Sequence, residues 1–252
     1  MKSFIKSYWK TLLFFALVGA VGGFGVGFYL LDSYPEDMVQ ELLAQGMTPV
    51  LLAVVTAVQS AGYGIVLGGI GIWLAKEVGL WRDERSIEGK PLLYTVIISV
   101  IGGMALILPD IFFFGRHIPA VANSYASKPT IPYLIATVTY GAVIEEIMLR
   151  LFCMSLLAFL LWKLFARKQE TPAAGILMAA NVMAALLFAA GHLPATAVMM
   201  GLTPMIILRC FLLNGIFGLA FGWLYRRYGL RYAMIAHGGC HVVSKLIWIL
   251  WL

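Results

Sequence analysis

Seven stretches of this chain stay apolar for long enough to cross a lipid bilayer, and no other feature limits its architecture as much. About 20 consecutive apolar residues cover a ~30 Å hydrocarbon core. The stretches fall at residues 12–31, 50–75, 92–114, 131–165, 173–192, 203–225 and 231–251. Lipid offers no water to pair with backbone groups, so each stretch must satisfy its own hydrogen bonds as a helix. A membrane barrel would alternate apolar and polar residues in segments of about ten, and these stretches do not alternate. The expected fold is all-α, a polytopic transmembrane helix bundle. Hydrophobic residues make up 62% of the chain and charged residues 12%, against about 45–50% and 25% in soluble domains. Residues 1–252 therefore read as a single membrane domain, with no motif of note in 1–130 and all the chemistry in 131–252.

The charges between the stretches sort by sign. Lys2, Lys6 and Lys10 precede the first; Asp32, Glu36, Asp37 and Glu41 follow it. The second loop holds Lys76, Arg82, Arg85 and Lys90, the fourth Lys163, Arg167 and Lys168, and the sixth Arg226, Arg227 and Arg231. The third loop has only Arg116 and Lys128, and the fifth has no charge. Basic residues are retained on the cytoplasmic side, so the N-terminus and the even loops are expected inside. The same placement explains the net charge of +6 without a nucleic-acid partner; the bilayer is the partner that fits. The first stretch lacks a small-residue cleavage pattern and is followed by further spans, so it reads as a retained anchor. Cys153, Cys210 and Cys240 are scattered in or beside apolar runs and read as small buried hydrophobes. The spacings Gly19/Gly23/Gly27, Gly64/Gly68 and Gly218/Gly222 suit close helix packing.

Six ionisable residues sit where lipid-spanning segments should have none. The fourth span contains Glu145, Glu146 and Arg150 in AVIEEIMLRLF, the fifth ends with His192, and the seventh contains His237 and His241 in AMIAHGGCH. Each such group costs about 2.5–3.5 kcal/mol on the lenient insertion scale, so intramembrane ionisable residues mark function by default. Glu146 and Arg150 are i and i+4 and share a helix face, where they neutralise one another. Glu145 points about 100° away, with Leu149 at its own i+4 position, and must find a partner on another helix. His237 and His241 present two imidazoles to one face, and Gly238 and Gly239 between them remove bulk. Asp110 and Lys245 read as boundary residues that snorkel, His117 as a solvated loop residue, and Asn181 and Asn214 as interhelical hydrogen bonders.

Three motifs in order, Glu145-Glu146-x-x-x-Arg150, Phe188-x-x-x-His192 and His237-x-x-x-His241, resemble those of the CPBP family. These are the CAAX proteases and bacteriocin-processing enzymes, also called Abi, which include the type II CAAX prenyl endopeptidases. The resemblance covers about residues 131–245. Two positions depart from the family pattern: Leu149 and Leu151 flank the arginine in place of an aromatic and a small residue, and His241 replaces an Asn or Asp.

The resemblance implies an intramembrane endopeptidase in a bacterial cell membrane, acting on a peptide or protein substrate that is membrane-associated or prenylated in some members. It implies that Glu145 activates water with help from His192. It also implies that His237 and His241 stabilise the oxyanion and that Glu146–Arg150 holds the fourth span. No cofactor is required by that chemistry. A zinc peptidase is the close alternative, with Glu145, His192, His237 and His241 as ligands; it leaves Glu146, already facing Arg150, to act as base. A bacteriocin-immunity or scaffold protein without catalysis is a different class of reading. A transporter is a third, against which stands the lack of paired half-repeats with broken helices.

One geometric tension follows from the spacing. His192 lies about 36 Å up the fifth span from Lys168, whereas His237 lies only about 9 Å beyond Arg231, at 1.5 Å per residue. Simple upright helices would keep them apart. Tilted helices, a fourth span that projects from the membrane, or a loop dipping into it are the expected remedies.

Overall fold

The computed structural model describes residues 2–83 and 87–252. Arg85 and the side chain of Lys2, both counted above, lie outside what is described. Among the described residues every regular element is helical. Seven helices are long and apolar enough to cross a membrane: α1 (Phe4–Ser33), α2 (Pro49–Glu77), α3 (Gly89–His117), α4 (Ile131–Phe165), α5 (Ala174–Met200), α6 (Pro204–Tyr228) and α7 (Leu230–Trp251). Short helices Glu36–Ala44 and Pro119–Ser124 lie in the first and third loops.

Number and order match the hydropathy reading, and the bounds differ at two places. The first span begins well before residue 12, because Tyr8 is buried and packs edge-on against Trp81 at 5.7 Å, which carries the helix down past the lysines. The fifth span continues beyond His192 to Met200. Three spans start on the same local signal. Thr48, Thr130 and Thr203 each accept a backbone N–H three residues on, at 3.2, 3.4 and 3.2 Å. Each is followed within two residues by a proline (Pro49, Pro132, Pro204), whose missing N–H would be unpaired at a helix start anyway.

The glycine spacings work as contact faces. In α1, a methyl on Gly19, Gly23 or Gly27 would run into Ser60, Thr56 or Ala53 of α2, and Thr56 Oγ1 donates to the Gly23 carbonyl at 2.7 Å. In α6, Gly218 lies on Ala185 and Gly222 on Asn181, both from α5. Gly102 and Gly103 of α3 lie on Cys240 and Val243 of α7. With α1–α2, α5–α6 and α3–α7 paired this way, α4 fills the middle and touches α1, α2, α5, α6 and α7. Large apolar side chains such as Leu17, Val58 and Ile101 are left facing outward, as a lipid solvent requires. We expect Gly222→Ala to lower stability by about 1–3 kcal/mol, because the added methyl overlaps the Asn181 amide that donates to the Leu219 carbonyl at 3.1 Å. Gly62→Ala, which meets open space, should be near neutral. Unfolding midpoints in detergent compare the two.

Asp110 does not snorkel. Its carboxylate is 1% exposed and takes two bonds from Arg209 of α6, Nε at 2.6 Å and Nη2 at 2.5 Å. Tyr125 adds a hydroxyl donor at 2.7 Å. Burial and then the Asp110 carboxylate push the Tyr125 phenol up, which keeps it a donor. The sequence offers no spacing that pairs Asp110 with Arg209, since they lie on spans far apart in the chain. The helix opens into a wide turn at Asp110–Phe114 directly after Pro109, whose ring and missing N–H disturb the regular ladder. Asn181 bonds across helices as expected. Asn214 does not: its amide donates to the Cys210 carbonyl of its own helix at 2.9 Å, one turn back. Cys210 and Cys240 are buried, Cys153 partly so, and all three are free thiols.

Candidate active site

The fourth span carries its two glutamates where the helix is widest. Two segments of five-residue hydrogen-bond spacing, Thr137–Glu145 and Ile147–Met154, meet at Glu146. Such wide turns are rare and concentrate at functional sites. Arg150 still falls below Glu146, its Nη1 at 3.1 Å from Glu146 Oε1. The guanidinium, 1% exposed, is fixed on its other sides by the Gly218 carbonyl at 3.2 Å and by the rings of Phe188 and Phe221 at 4.6 and 5.5 Å. Phe188 comes from α5 and Phe221 from α6, so one cation ties three helices together.

Glu146 has a second partner that helical spacing does not reveal. His237 Nδ1 lies 2.8 Å from Glu146 Oε1. Because an ionised carboxylate only accepts, Nδ1 carries the hydrogen. The other ring nitrogen, Nε2, then faces Glu145 Oε2 at 3.9 Å. His237 therefore lies between both carboxylates, stacked on Phe221 at 4.6 Å and on His241 at 5.0 Å. The turn between α6 and α7 aligns these rings. Gly229 alone separates the two helices, at φ 102°, where a side chain would be strained, and it folds α7 directly back on α6.

The two glutamates differ in access. The Glu146 side chain is fully buried, whereas that of Glu145 keeps 21% of its surface open. Above them, Gly141 provides room for the histidines: a methyl there would meet His241 Nε2 at 3.2 Å and His237 Nε2 at 3.9 Å. Gly141 carries no charge and belongs to no spacing pattern, and only the packing of α7 against α4 gives it a role.

The depth tension is resolved at Phe188 rather than at His192. The Phe188 ring approaches His237 at 6.0 Å, while α5 breaks at His192, two residues before Pro194. His192 stands edge-on to Phe188 at 4.7 Å and turns Nδ1 to the Phe188 carbonyl at 2.8 Å. Among the described residues no hydrogen bond or ion pair joins His192 to Glu145. Glu145, Glu146, Arg150, His237 and His241 are thus brought together, and His192 stands at their edge. As placed, these side chains do not fit a zinc ion: among the described residues no three of His, Cys, Asp or Glu converge in a way that could hold a metal.

A family model described as "Type II CAAX prenyl endopeptidase Rce1-like" matches residues 127–243. This stretch, a little under half of the chain, is similar to that family. It spans α4 to most of α7 and includes all six residues singled out in the sequence. No curated protein and no solved structure matches the chain. The Rce1-like family, of the CAAX protease type, agrees with a polar cluster built inside an all-helical membrane bundle.

Proposed function

We propose that this chain is an intramembrane endopeptidase of the CAAX-protease type, in which Glu145 activates the attacking water. The observation that carries this reading is the unequal pair of adjacent carboxylates. Glu146 is fully buried and committed to Arg150 and His237, and Glu145 is partly open, with an imidazole nitrogen 3.9 Å away as its partner. A base must reach its water directly, and only Glu145 has both access and a free oxygen.

In the proposed reaction, Glu145 accepts a proton from water as the water oxygen attacks the peptide carbonyl. With Nδ1–H committed to Glu146, the neutral His237 ring offers Nε2 as an acceptor, so it holds the same water against Glu145. His241 has no hydrogen-bond partner at Nδ1 and is the ring left to donate to the developing oxyanion, a contact worth about 3 kcal/mol in the transition state. Collapse of the intermediate breaks the C–N bond, and the proton on Glu145 passes to the departing amine. This gives His237 the water-positioning role that the family pattern implies for His192. The basic loops and the N-terminus are taken as cytoplasmic, and the substrate as a prenylated or otherwise membrane-associated peptide, in line with the family's description.

Purified protein should cleave a peptide bearing a prenylated cysteine near its C-terminus, and should keep that activity through exhaustive chelation. Activity lost to a chelator and restored by zinc would replace the glutamate mechanism with a metal one.

A further inference from the structure

The short helix of the first loop has two faces. Along Glu36–Ala44 the apolar residues Met38, Val39, Leu42 and Leu43 fall within about 140° of the circumference, and Glu36, Asp37, Gln40 and Glu41 take the opposite side. None of its residues is buried, and Met38 and Leu43 are exposed, so the bundle leaves the apolar face largely uncovered. The chain on either side fixes where the helix lies. Tyr34 and Pro35 join it to the end of α1, and residues 45–47 join it to Thr48, the cap of α2. At about 3.6 Å per residue at most, tethers this short hold both ends near the plane where the two spans leave the bilayer. A helix of nine residues, about 13 Å long, therefore lies along that plane. Thr130, the cap of α4, donates to Asp32 at 3.4 Å and brings the start of α4 to the same level. The apolar face continues into Val50, Leu51 and Val54 at the head of α2, which are exposed and belong to the belt that lipid covers.

We propose that Glu36–Ala44 is an interfacial helix that seats its apolar face in the lipid surface opposite the basic loops, and that its acidic face makes zwitterionic headgroups its partner. Helices of this kind usually carry Lys and Arg on the polar face, which draw them to anionic lipid. Here the sign is reversed. No Lys or Arg occurs between Lys10 and Lys76, and Asp32, Glu36, Asp37 and Glu41 all fall in this loop. Gln45 Nε2 donates to Glu41 Oε1 at 3.2 Å, which keeps that carboxylate on the polar side. A negative lipid surface repels these carboxylates over about a Debye length, so apolar burial alone has to hold the helix in place. The inference does not depend on the peptidase reading.

The test places a nitroxide label on the full chain at one introduced cysteine at a time, in place of Val39, Leu43, Asp37 or Gln40. Cys153, the native cysteine with surface access, is changed to Ala beforehand. In phosphatidylcholine vesicles, paramagnetic resonance reads each label's access to oxygen, which concentrates in lipid, and to a neutral nickel chelate, which stays in water. Oxygen should dominate at Val39 and Leu43, and the chelate at Asp37 and Gln40. Replacing half of the lipid by phosphatidylglycerol should shift the Val39 and Leu43 labels towards the chelate. The triple variant Glu36→Gln/Asp37→Asn/Glu41→Gln should lose that shift. Dominance of the chelate at all four positions would place the helix in water and overturn the proposal. Low access to both reagents at Val39 and Leu43 would also overturn it, since a protein surface, a second copy included, would then cover the face. Unchanged or greater oxygen access in phosphatidylglycerol would overturn the headgroup preference.

Discussion

Replacing Glu146 by Gln is expected to destabilise the bundle by about 3–5 kcal/mol, the usual consequence of breaking a buried ion pair from one side. The Arg150 guanidinium would keep its charge, its Gly218 carbonyl and its two aromatic faces, but lose the carboxylate that neutralises it. Lower expression and a lower unfolding midpoint in detergent should be the first signs. The double variant Glu146→Gln/Arg150→Met removes the stranded charge and should regain much of that stability, since a long apolar side chain still fills the space between Phe188 and Phe221. Activity should not return with stability. His237 would then donate to a neutral amide rather than a carboxylate, and its ring would be held less firmly towards Glu145. A Glu146→Gln protein that is as stable as the wild type would mean that Arg150 is neutralised by something else.

Glu145→Gln should do the reverse. The amide keeps the size of the side chain but cannot take a proton from water, and general-base contributions run to about 10²–10⁴-fold in rate. Stability should hardly change, because this side chain is partly open and its partner, the His237 ring, is 3.9 Å away. Adding Arg150→Met to Glu145→Gln should give no rescue and should lower stability, because Glu146 would lose its cation. The contrast between the two glutamates, one failing in chemistry and the other in folding, separates a base from a structural anion in a way that the motif alone does not.

The apolar runs made the seven spans legible because lipid imposes length and hydropathy directly on sequence. The Glu146–Arg150 pair was legible for a similar reason, since both residues lie on one helix and the spacing survives even through the wide turns of α4. The His237–Glu146 bond was not, because no periodicity on α4 determines which residue of α7 lies opposite. That is decided by Gly229, which folds α7 back on α6, and by Gly141, which lets the histidines approach. Asp110 was misread on the same grounds: its partner Arg209 lies on another span, and a lone carboxylate at a helix end looks like a boundary residue. The depth of His192 was hard to read for a different reason. Counting residues assumes a straight helix, and α5 bends at that residue, leaving Phe188 to make the contact with His237.

The most direct measurement is cleavage of a prenylated peptide by purified protein in lipid vesicles, followed by mass spectrometry, with wild type and Glu145→Gln side by side at equal folded concentration. The account predicts two product masses that sum to substrate plus one water for the wild type. It predicts a rate at least about a hundredfold lower for Glu145→Gln. Intact peptide with the wild type, or equal product from both proteins, would contradict it.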